Sequence, residues 1–422
     1  MKLLSGKIFD VKFAFVVIAT LVSINLWSFL IIPDAVFDGL KFLLLIALIA
    51  IVLIYDRNND ITEKLFQTNV RLLIWLPILS SFGAFLFHDQ SFTLSLLILR
   101  TNFFWLLYFV LHLFNISPKK IIQLILFVGF VWIFLTVIQQ FTYPAYFFSN
   151  RNEEDNYDFY RAGVYRFMID QHQYGLFVIL YYYNRFLKKR TFKPLIPVLL
   201  GLVGYYYYSG RQYALAAVAC LFLATLTTKG TFKVYATCAL AAIAAGLFLF
   251  KDVLFADYVE MTNEQLNSDD DVRLVAAKFF LFDYWPHWIT TIIGNGYENY
   301  KSSYGKEMLY INQVKLLFRS DIGIIGMFNM FGIFYVINVL WLNFKGLSNK
   351  YYSSNTSYLK YVFIYSLLLL PLSEGYSVPS GAVPFFCFIF YLADKAYEEK
   401  SIEEMEIEIE SASSDKRAIA IV

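Results

Sequence analysis

Long apolar runs constrain this chain more than any other feature. Hydrophobic residues make up 59% of its 422 residues and aromatic residues 20%, far above the apolar share of a soluble domain. Runs long enough to cross about 30 Å of hydrocarbon occur near residues 11–32, 36–54, 71–87, 91–114, 120–141, 174–187, 194–208, 211–228, 232–250, 319–342, 358–373 and 380–396. We therefore predict an all-α polytopic membrane protein with about 12 transmembrane helices.

Basic residues in the short connections predict the orientation of these spans. If every span crosses, the following lysines and arginines lie on one side: Lys2, Lys7, Lys12, Arg57, Lys64, Lys119, Lys120, Lys188, Lys189, Arg190, Lys193, Lys229, Lys233, Lys345, Lys350 and Lys360. Short cytoplasmic loops carry such an excess, so we place this side and both termini in the cytoplasm. The basic N-terminus leads into an apolar run without a small-residue cleavage site, which predicts a first transmembrane helix and not a removed signal.

The predicted spans divide the chain into six parts. They are an N-terminal bundle of about five helices at 1–141, a first outer loop at 142–173, central helices at 174–250, a large outer loop at 251–318, C-terminal helices at 319–396 and an acidic tail at 397–422. The tail is expected to be a solvated, partly disordered cytoplasmic end. Both outer loops are expected to carry short amphipathic helices.

The loop at 251–318 is the longest polar stretch. Val272, Val275, Phe279 and Phe282 recur at helical spacing, which predicts an amphipathic helix on the membrane surface. Pro286 is expected to end this helix. A turn at 294–296, of sequence GNG, would then let backbone approach a ligand closely.

Several arginines lie on the predicted outer side, where short loops normally lack positive charge. Arg161, Arg166, Arg211 and Arg273 sit among aromatic residues or beside apolar spans, and Arg319 lies at a span boundary. An unpaired charge there is unfavourable, and a phosphate is a natural partner for a guanidinium. Solvated loop surface is the alternative interpretation.

Arg100 is the most unusual of the charged residues because it falls inside a predicted span. Intramembrane charges usually face a bundle interior or a watery cavity. Asp34, Asp38 and Asp89 are the acidic residues that a structural ion pair would use. Structure and function both remain open for Arg100 at this point.

No soluble-enzyme signature is present: the sequence has no P-loop, GxSxG, HExxH or CxxC motif. Its three cysteines lie in apolar segments without paired spacing, so we infer neither disulfides nor a metal site. His172 follows Asp170 closely in the first outer loop. A lone histidine needs a second group placed by the fold before it acts as a base, so a local structural role and a catalytic role both remain open.

An ordered set of motifs points to a family. The set comprises YRAGVYRF in the first outer loop, SGRQYALAA at a hairpin between two spans, Arg273 followed by Pro286 and GNGYENY in the second loop, and DIGIIGMF at the start of a re-entering span. Over roughly residues 155–340, this order resembles the O-antigen polymerase and O-antigen ligase superfamily of bacterial envelopes.

The resemblance implies a glycosyltransferase of the bacterial inner membrane that acts on the periplasmic side. A sugar chain would leave a polyprenyl diphosphate carrier and join another lipid-linked unit, without a nucleotide sugar, cofactor or obligatory metal. Arginines would then hold the diphosphate through bidentate contacts. By their matching positions in the motifs, the leading candidates for this role are Arg161, Arg211 and Arg273, and the next candidates are Arg166 and Arg319. Arg100 is added because it is expected to be reachable from the outer side.

One departure from the family separates its two branches. Ligases of this family carry a His followed by Asn about eleven residues before the Gly that opens the re-entering span, whereas this chain has Asn312 and Gln313 there. Since asparagine is no general base, the departure favours a polymerase. Asp170, His172, Glu298 and Asp321 are the candidates for activating the acceptor hydroxyl.

Two alternatives stay open. The first is a ligase-type transfer of finished glycan to a lipid or protein, and the second is a polysaccharide transporter or flippase, because a count of twelve spans does not define a function. The expected partners are polyprenyl-diphosphate-linked oligosaccharides and the lipid bilayer, with a chain-length regulator and a flippase as candidate protein partners. No nucleic acid is expected.

Overall fold

The structure is a computed structural model, and it describes residues 10–29, 31–56, 64–145, 147, 160–161, 164–165, 167, 169–208, 210–228, 233–234, 236–238, 272–372 and 381–419. In these residues the main helices are α1 (Val11–Ser23), α2 (Asp34–Asp56), α3 (Gln67–Phe87), α4 (Phe92–Ile98), α5 (Leu106–Phe114), α6 (Pro118–Thr142), α7 (His172–Lys189), α8 (Leu195–Tyr208), α9 (Arg211–Thr227), α10 (Val272–Lys278), α11 (Trp288–Ile293), α12 (Ser303–Val314), α13 (Gly323–Phe331), α14 (Ile333–Gly346), α15 (Leu359–Leu369) and α16 (Val383–Ile419).

Shorter elements connect these helices. Turns of 3₁₀-helix occur at Asn25–Ser28, Leu99–Trp105, Arg319–Ile322 and Asn349–Tyr351, and a π-helical turn occurs at Phe279–Asp283. Strands β1 (Tyr160–Arg161) and β2 (Val164–Tyr165) form an antiparallel pair in which Tyr160 lies opposite Tyr165.

The apolar helices identify a membrane-embedded protein. Within the described ranges, four segments are long and apolar enough to cross a bilayer: Ala35–Ile54, Gln67–Phe87, Phe92–Phe114 and Pro118–Thr142. Shorter apolar helices are Val11–Ser23, Leu195–Tyr208, Arg211–Thr227, Ile333–Gly346 and Leu359–Leu369. The all-α membrane class is thus confirmed at this coarse level, whereas the number of twelve spans stays a prediction. The predicted span 232–250 lies mostly outside the described residues.

Two ends of the helix bundle are named here by the predicted orientation. The predicted outer end contains the connection between α3 and α4 and the starts of α7 and α9. The predicted cytoplasmic end contains the connection between α5 and α6 and the start of α15.

Close packing of α6, α7 and α8 fixes the start of α7. A Cβ on Gly129 would come 2.5 Å from the Tyr174 carbonyl oxygen, and one on Gly175 would come 2.5 Å from the Trp132 ring. Small residues let membrane helices approach in this way. The indole of the buried Trp132 donates a hydrogen bond of 2.9 Å to the carbonyl of Ile169. This bond anchors the backbone immediately before α7, where Asp170 lies.

The predicted span at 319–342 is two helices and not one. α13 and α14 are separated at Gly332, which has φ +80°, a conformation that favours glycine. The GNG segment packs on this break, because Asn295 N–H donates to the Asn329 carbonyl and Gly296 N–H to the Met330 carbonyl, both at 2.9 Å. Amides of the GNG segment therefore satisfy backbone carbonyls just before the break, at the end of α13.

The predicted amphipathic helix is present as α10 and the π-helical turn, which end before Pro286. Ala276 and Phe280 are its buried residues, whereas Val272, Val275 and Phe282 are 48%, 45% and 69% exposed. Three of the four predicted apolar positions thus face away from the protein. An outward apolar face is the arrangement expected at a membrane surface.

The backbone of the acidic tail is helical as far as Ile419, because α16 continues without interruption from Val383; its partial disorder stays a prediction. The segment 397–419 contains neither glycine nor proline and is rich in glutamate, which favours the helical conformation. Low hydrophobicity predicts solvation, but it does not by itself predict an irregular backbone.

Candidate functional site

A recessed polar cavity lies at the predicted outer end, and we call it the Arg100 cavity. Its volume is about 220 Å³, and it is lined by Ser23, Ile24, Asn25, Asp38, Lys41, Ile98, Arg100, Thr101, Asp170, Gln171 and Gly381. These residues come from the end of α1, the first turns of α2, the break after α4, the start of α7 and the approach to α16. The cavity thus gathers residues that are far apart in the sequence.

Arg100 reaches the cavity because the helix changes type beside it. α4 ends at Ile98 and a 3₁₀ segment runs over Leu99–Trp105 before α5 begins. A 3₁₀ stretch inside a longer helix frequently marks a functional position. Arg100 Nη1 donates to the Leu97 carbonyl at 2.9 Å, which holds the guanidinium against the preceding turn.

Asp38 is the acidic neighbour of Arg100. Asp38 Oδ1 lies 3.8 Å from Arg100 Nη2, and the two side chains are 63% and 33% exposed. Of the three acidic residues considered from sequence, Asp38 therefore forms the ion pair. A pair this long and exposed contributes little binding energy, so an anion with better geometry can compete for the guanidinium.

Three buried polar atoms at the cavity have no hydrogen-bond partner among the described residues. They are Asn25 Oδ1, Thr101 Oγ1 and Gln171 Oε1. Native proteins rarely leave such atoms unsatisfied, so each calls for a water, an ion or a ligand. The cavity therefore contains polar oxygens that could form hydrogen bonds to a bound molecule.

Backbone strain coincides with the same residues. Asn25 and Gln171 have φ +51° and +83°, in the left-handed region that non-glycine residues seldom adopt. Gly381 lies close to this side chain at the cavity wall, since a Cβ there would come 2.3 Å from Gln171 Nε2. Strained residues persist where the surrounding structure holds them, and they concentrate at functional sites.

Asp170 and His172 point to different surroundings although they are two residues apart. Asp170 is exposed and lines the cavity that contains Arg100. His172 is buried, and its ring packs at 4.0 Å from the Tyr213 ring and 5.4 Å from the Tyr208 ring. Its carbonyl accepts a hydrogen bond of 2.8 Å from Tyr205. The structure thus brings Asp170, and not His172, together with Arg100.

The other predicted arginines lie elsewhere. Arg211 is the first residue of α9 and is partly buried, and Arg273 is exposed on α10; neither lines the Arg100 cavity. For Arg161 the structure gives only the backbone, in β1, and Arg166 lies outside the described residues. Arg319 lies in a separate cluster.

Glu298 and Arg319 form a buried ion pair in the layer made by α10, α11 and α12. Arg319 Nη2 lies 2.6 Å from Glu298 Oε2, and the two side chains are 3% and 10% exposed. Arg319 Nη1 also donates to Tyr304 Oη at 3.1 Å and Asn329 Oδ1 at 3.4 Å. Short charge-assisted bonds in a dry setting hold this arginine far more firmly than Arg100 is held. The geometry favours a structural role for the pair.

Aromatic and amide groups enclose this pair. Burial raises the pKa of Tyr304 to about 12 despite the nearby Arg319. His88, just after α3, stacks on Tyr304 with 4.1 Å between ring centroids and lies 3.2 Å from Asn295 Oδ1. Burial lowers the pKa of His88, and the hydrogen bond to Asn295 opposes this shift. Burial thus favours the neutral form of His88, which lies between this layer and the end of α3.

A second buried cluster lies at the predicted cytoplasmic end. Asp394 of α16 is 1% exposed and accepts from Tyr108 at 2.5 Å and from the Phe66 N–H at 3.2 Å. His112 Nε2 is 2.9 Å from the same carboxylate. A carboxylate inside a membrane protein is a functional candidate by default, although here three neighbours satisfy it.

No protein-family model matches the chain, and no curated protein is detectably similar to it. The resemblance to the O-antigen polymerase and ligase superfamily therefore rests on the motifs alone.

Sequence reasoning missed eight of the eleven residues that line the Arg100 cavity, among them Asn25, Lys41, Thr101, Gln171 and Gly381. Lys41 had a readable signal, because it is a cation within the apolar run 36–54. Asn25 and Gln171 reach the cavity through a strained backbone, and Gly381 reaches it through a close approach to the Gln171 side chain. Neither feature leaves a pattern in a single sequence.

Proposed function

We propose that this protein is a membrane glycosyltransferase that polymerises the repeat units of a surface polysaccharide. The observation that supports this most is the Arg100 cavity, in which the cations Arg100 and Lys41 and the carboxylate of Asp170 share a recess. Such a recess suits a substrate whose lipid tail stays in the bilayer, whose diphosphate lies at the membrane boundary and whose sugars remain in water.

The proposed reaction assigns a role to each charged group. Arg100 and Lys41 hold the diphosphate and stabilise the charge that develops on it as the glycosidic bond breaks. The acceptor hydroxyl forms the new bond to the anomeric carbon, the diphosphate oxygen leaves with the bonding electron pair, and Asp170 takes the hydroxyl proton. The diphosphate displaces Asp38, whose pair with Arg100 is long and exposed.

Polymerisation needs a second lipid-linked unit, and the remaining outer arginines are proposed to hold it. We assign the second unit to four arginines because the motif resemblance implies that they bind diphosphate: Arg161, Arg166, Arg211 and Arg273. Glu298 and Arg319 are assigned to the stability of the outer layer, because they already form a buried ion pair with each other at 2.6 Å.

Deletion and complementation in the native bacterium test the proposal. Loss of the gene should convert a ladder of long surface glycan into single repeat units. Arg100→Ala and Asp170→Asn should fail to restore the ladder, and Arg100→Lys should restore it only in part, since a lysine lacks the bidentate geometry. Arg71→Ala is the matched control, because Arg71 is exposed on α3 and lies outside the cavity.

Three outcomes would oppose the proposal. A full ladder with Arg100→Ala, at normal protein level, removes the diphosphate role of this residue. Long polymer that accumulates on its lipid carrier in the deletion strain indicates ligase-type transfer. Arg211→Ala and Arg273→Ala, if both give wild-type chain length, remove the proposed second subsite.

A transporter is the second candidate function, and the buried Asp394 cluster is the observation that favours it. Proton-coupled carriers use carboxylates inside the membrane, and Asp394 contacts both Tyr108 and His112 there. The two functions are distinguished by measuring which leaflet of the membrane holds the unpolymerised units in the deletion strain. Units confined to the inner leaflet support transport, and units in the outer leaflet support polymerisation.

A further inference from the structure

A second polar cavity lies at the predicted cytoplasmic end, between the ends of α7 and α9 and the start of α15, and we call it the Lys188 cavity. Its volume is about 430 Å³, and it is lined by Leu180, Tyr183, Asn184, Leu187, Lys188, Arg190, Ala224, Thr227, Thr228, Ser354, Ser357, Lys360 and Tyr361. It shares no residue with the Arg100 cavity, so the proposed glycosyl transfer makes no use of it.

The charge of this cavity is one-sided. Three of its lining residues are cationic, and none is acidic. Lys188 donates to Asn355 Oδ1 at 2.7 Å and Lys360 to Asn349 Oδ1 at 3.0 Å, and both acceptors are neutral amides. Among the described residues neither ammonium has a carboxylate within ion-pair distance. Like charges so close together favour the entry of an anion.

Hydroxyl groups lie beside the cations. Ser354 is exposed at the cavity, and Ser357 Oγ donates at 3.1 Å to the Ser354 carbonyl. Lysine ammonium groups and serine hydroxyls are the usual donors to phosphate oxygens in proteins. A phosphate has enough acceptor sites to bind both donor types at once.

The cavity also has an apolar lining, made by Leu180, Leu187 and Ala224. Leu180 lies about two turns before the end of α7 at Lys189, whereas Lys188 lies in the last turn. A polar mouth at a membrane boundary with an apolar floor matches an amphipathic ligand, and basic pockets between helices at the cytoplasmic side bind anionic head groups.

We infer that the Lys188 cavity binds a phosphate-bearing anion at the cytoplasmic end of the protein. Lys188 and Lys360 neutralise the phosphate, and Ser354 donates a hydrogen bond from the mouth. The phosphate comes either from an anionic phospholipid head group or from a soluble phosphate, and the experiment distinguishes these sources.

The test uses the purified full-length protein in phosphatidylcholine nanodiscs with and without phosphatidylglycerol, and separately with inorganic phosphate. Thermal stability and lipid retained in native mass spectrometry are measured. Phosphatidylglycerol alone should stabilise the wild type if the source is a lipid, and inorganic phosphate alone should do so if the source is soluble. If neither stabilises it, the inference is wrong.

Charge removal locates the effect. Lys188→Gln and Lys360→Gln should each weaken binding about fivefold, the loss expected for one lysine near an anionic head group. Lys119→Gln is the matched control, because Lys119 is exposed at the same end but outside the cavity. Ser354→Glu changes only an exposed position and should also weaken binding through its negative charge. Equal binding by the wild type and these cavity variants would overturn the inference.

Discussion

Replacement of Glu298 by alanine should open the outer layer of the protein. Arg319 is 3% exposed and is held by Glu298 at 2.6 Å. Without this carboxylate its remaining partners are neutral, namely Tyr304 at 3.1 Å and Asn329 at 3.4 Å. A buried charge left without its partner destabilises a protein by about 3 to 5 kcal/mol. We expect that loss in the local opening free energy of the layer.

Amide hydrogen exchange measures this quantity directly. Gly296 N–H donates to the Met330 carbonyl and Asn299 N–H to Gln90 Oε1, so both amides exchange only when the layer opens. A loss of about 3 to 5 kcal/mol corresponds to exchange about 150-fold to about 5,000-fold faster. An increase below about tenfold would refute the reasoning, because it would mean that water already screens the pair.

Two further variants complete this experiment. Lys306→Gln is the control, since Lys306 is an exposed charged residue of α12 in the same layer and should change exchange less than about threefold. The double change Glu298→Leu with Arg319→Met should recover most of the protection, because apolar residues of similar volume replace buried ion pairs well. A protected double variant that makes no glycan would return Glu298 and Arg319 to the list of functional residues.

Further predictions concern positions outside this pair. Gly294→Ala should destabilise the protein by more than about 2 kcal/mol, because Gly294 has φ +89° and a Cβ there would lie 2.2 Å from the Met330 carbonyl oxygen; thermal melting checks this against Gly39→Ala, where the added Cβ meets open space. Burial lowers the pKa of His88 below its usual value of about 6.5, so the unfolded chain takes up a proton at a higher pH than the folded chain, and stability should fall as the pH drops below that value; His88→Phe should flatten this dependence in melting curves taken at several pH values. Asp394→Asn should lower the melting temperature of the protein, because Tyr108, His112 and the Phe66 N–H all lose a charged acceptor, and an unchanged melting temperature would contradict a structural role.

The sequence predicted the membrane class because that class depends on composition. It also singled out Arg100 as a charge expected to face the bundle interior or a cavity, since a charged residue inside an apolar run is recognisable without a structure. The amphipathic helix before Pro286 followed from spacing alone. These predictions depend on local patterns, and local patterns are what a single sequence carries.

Pairing between distant residues was not predictable in the same way. Glu298 and Arg319 were both candidates for the reaction, and only the three-dimensional structure shows that they form a buried ion pair with each other. His172 was a candidate base, but its ring lies among tyrosines of α8 and α9. The partner of a polar residue is decided by tertiary packing, which can be read only after the fold is known.

The uninterrupted helix α16 has a mechanical consequence. It runs from Val383 beside the Arg100 cavity, through the buried Asp394, to Ile419. At about 1.5 Å per residue its last 23 residues extend about 35 Å. A continuous helix transmits rotation and axial displacement over its whole length, whereas a flexible linker does not. A protein that bound the far end of α16 would therefore be mechanically connected to the cavity residue Gly381, which lies two residues before the helix begins.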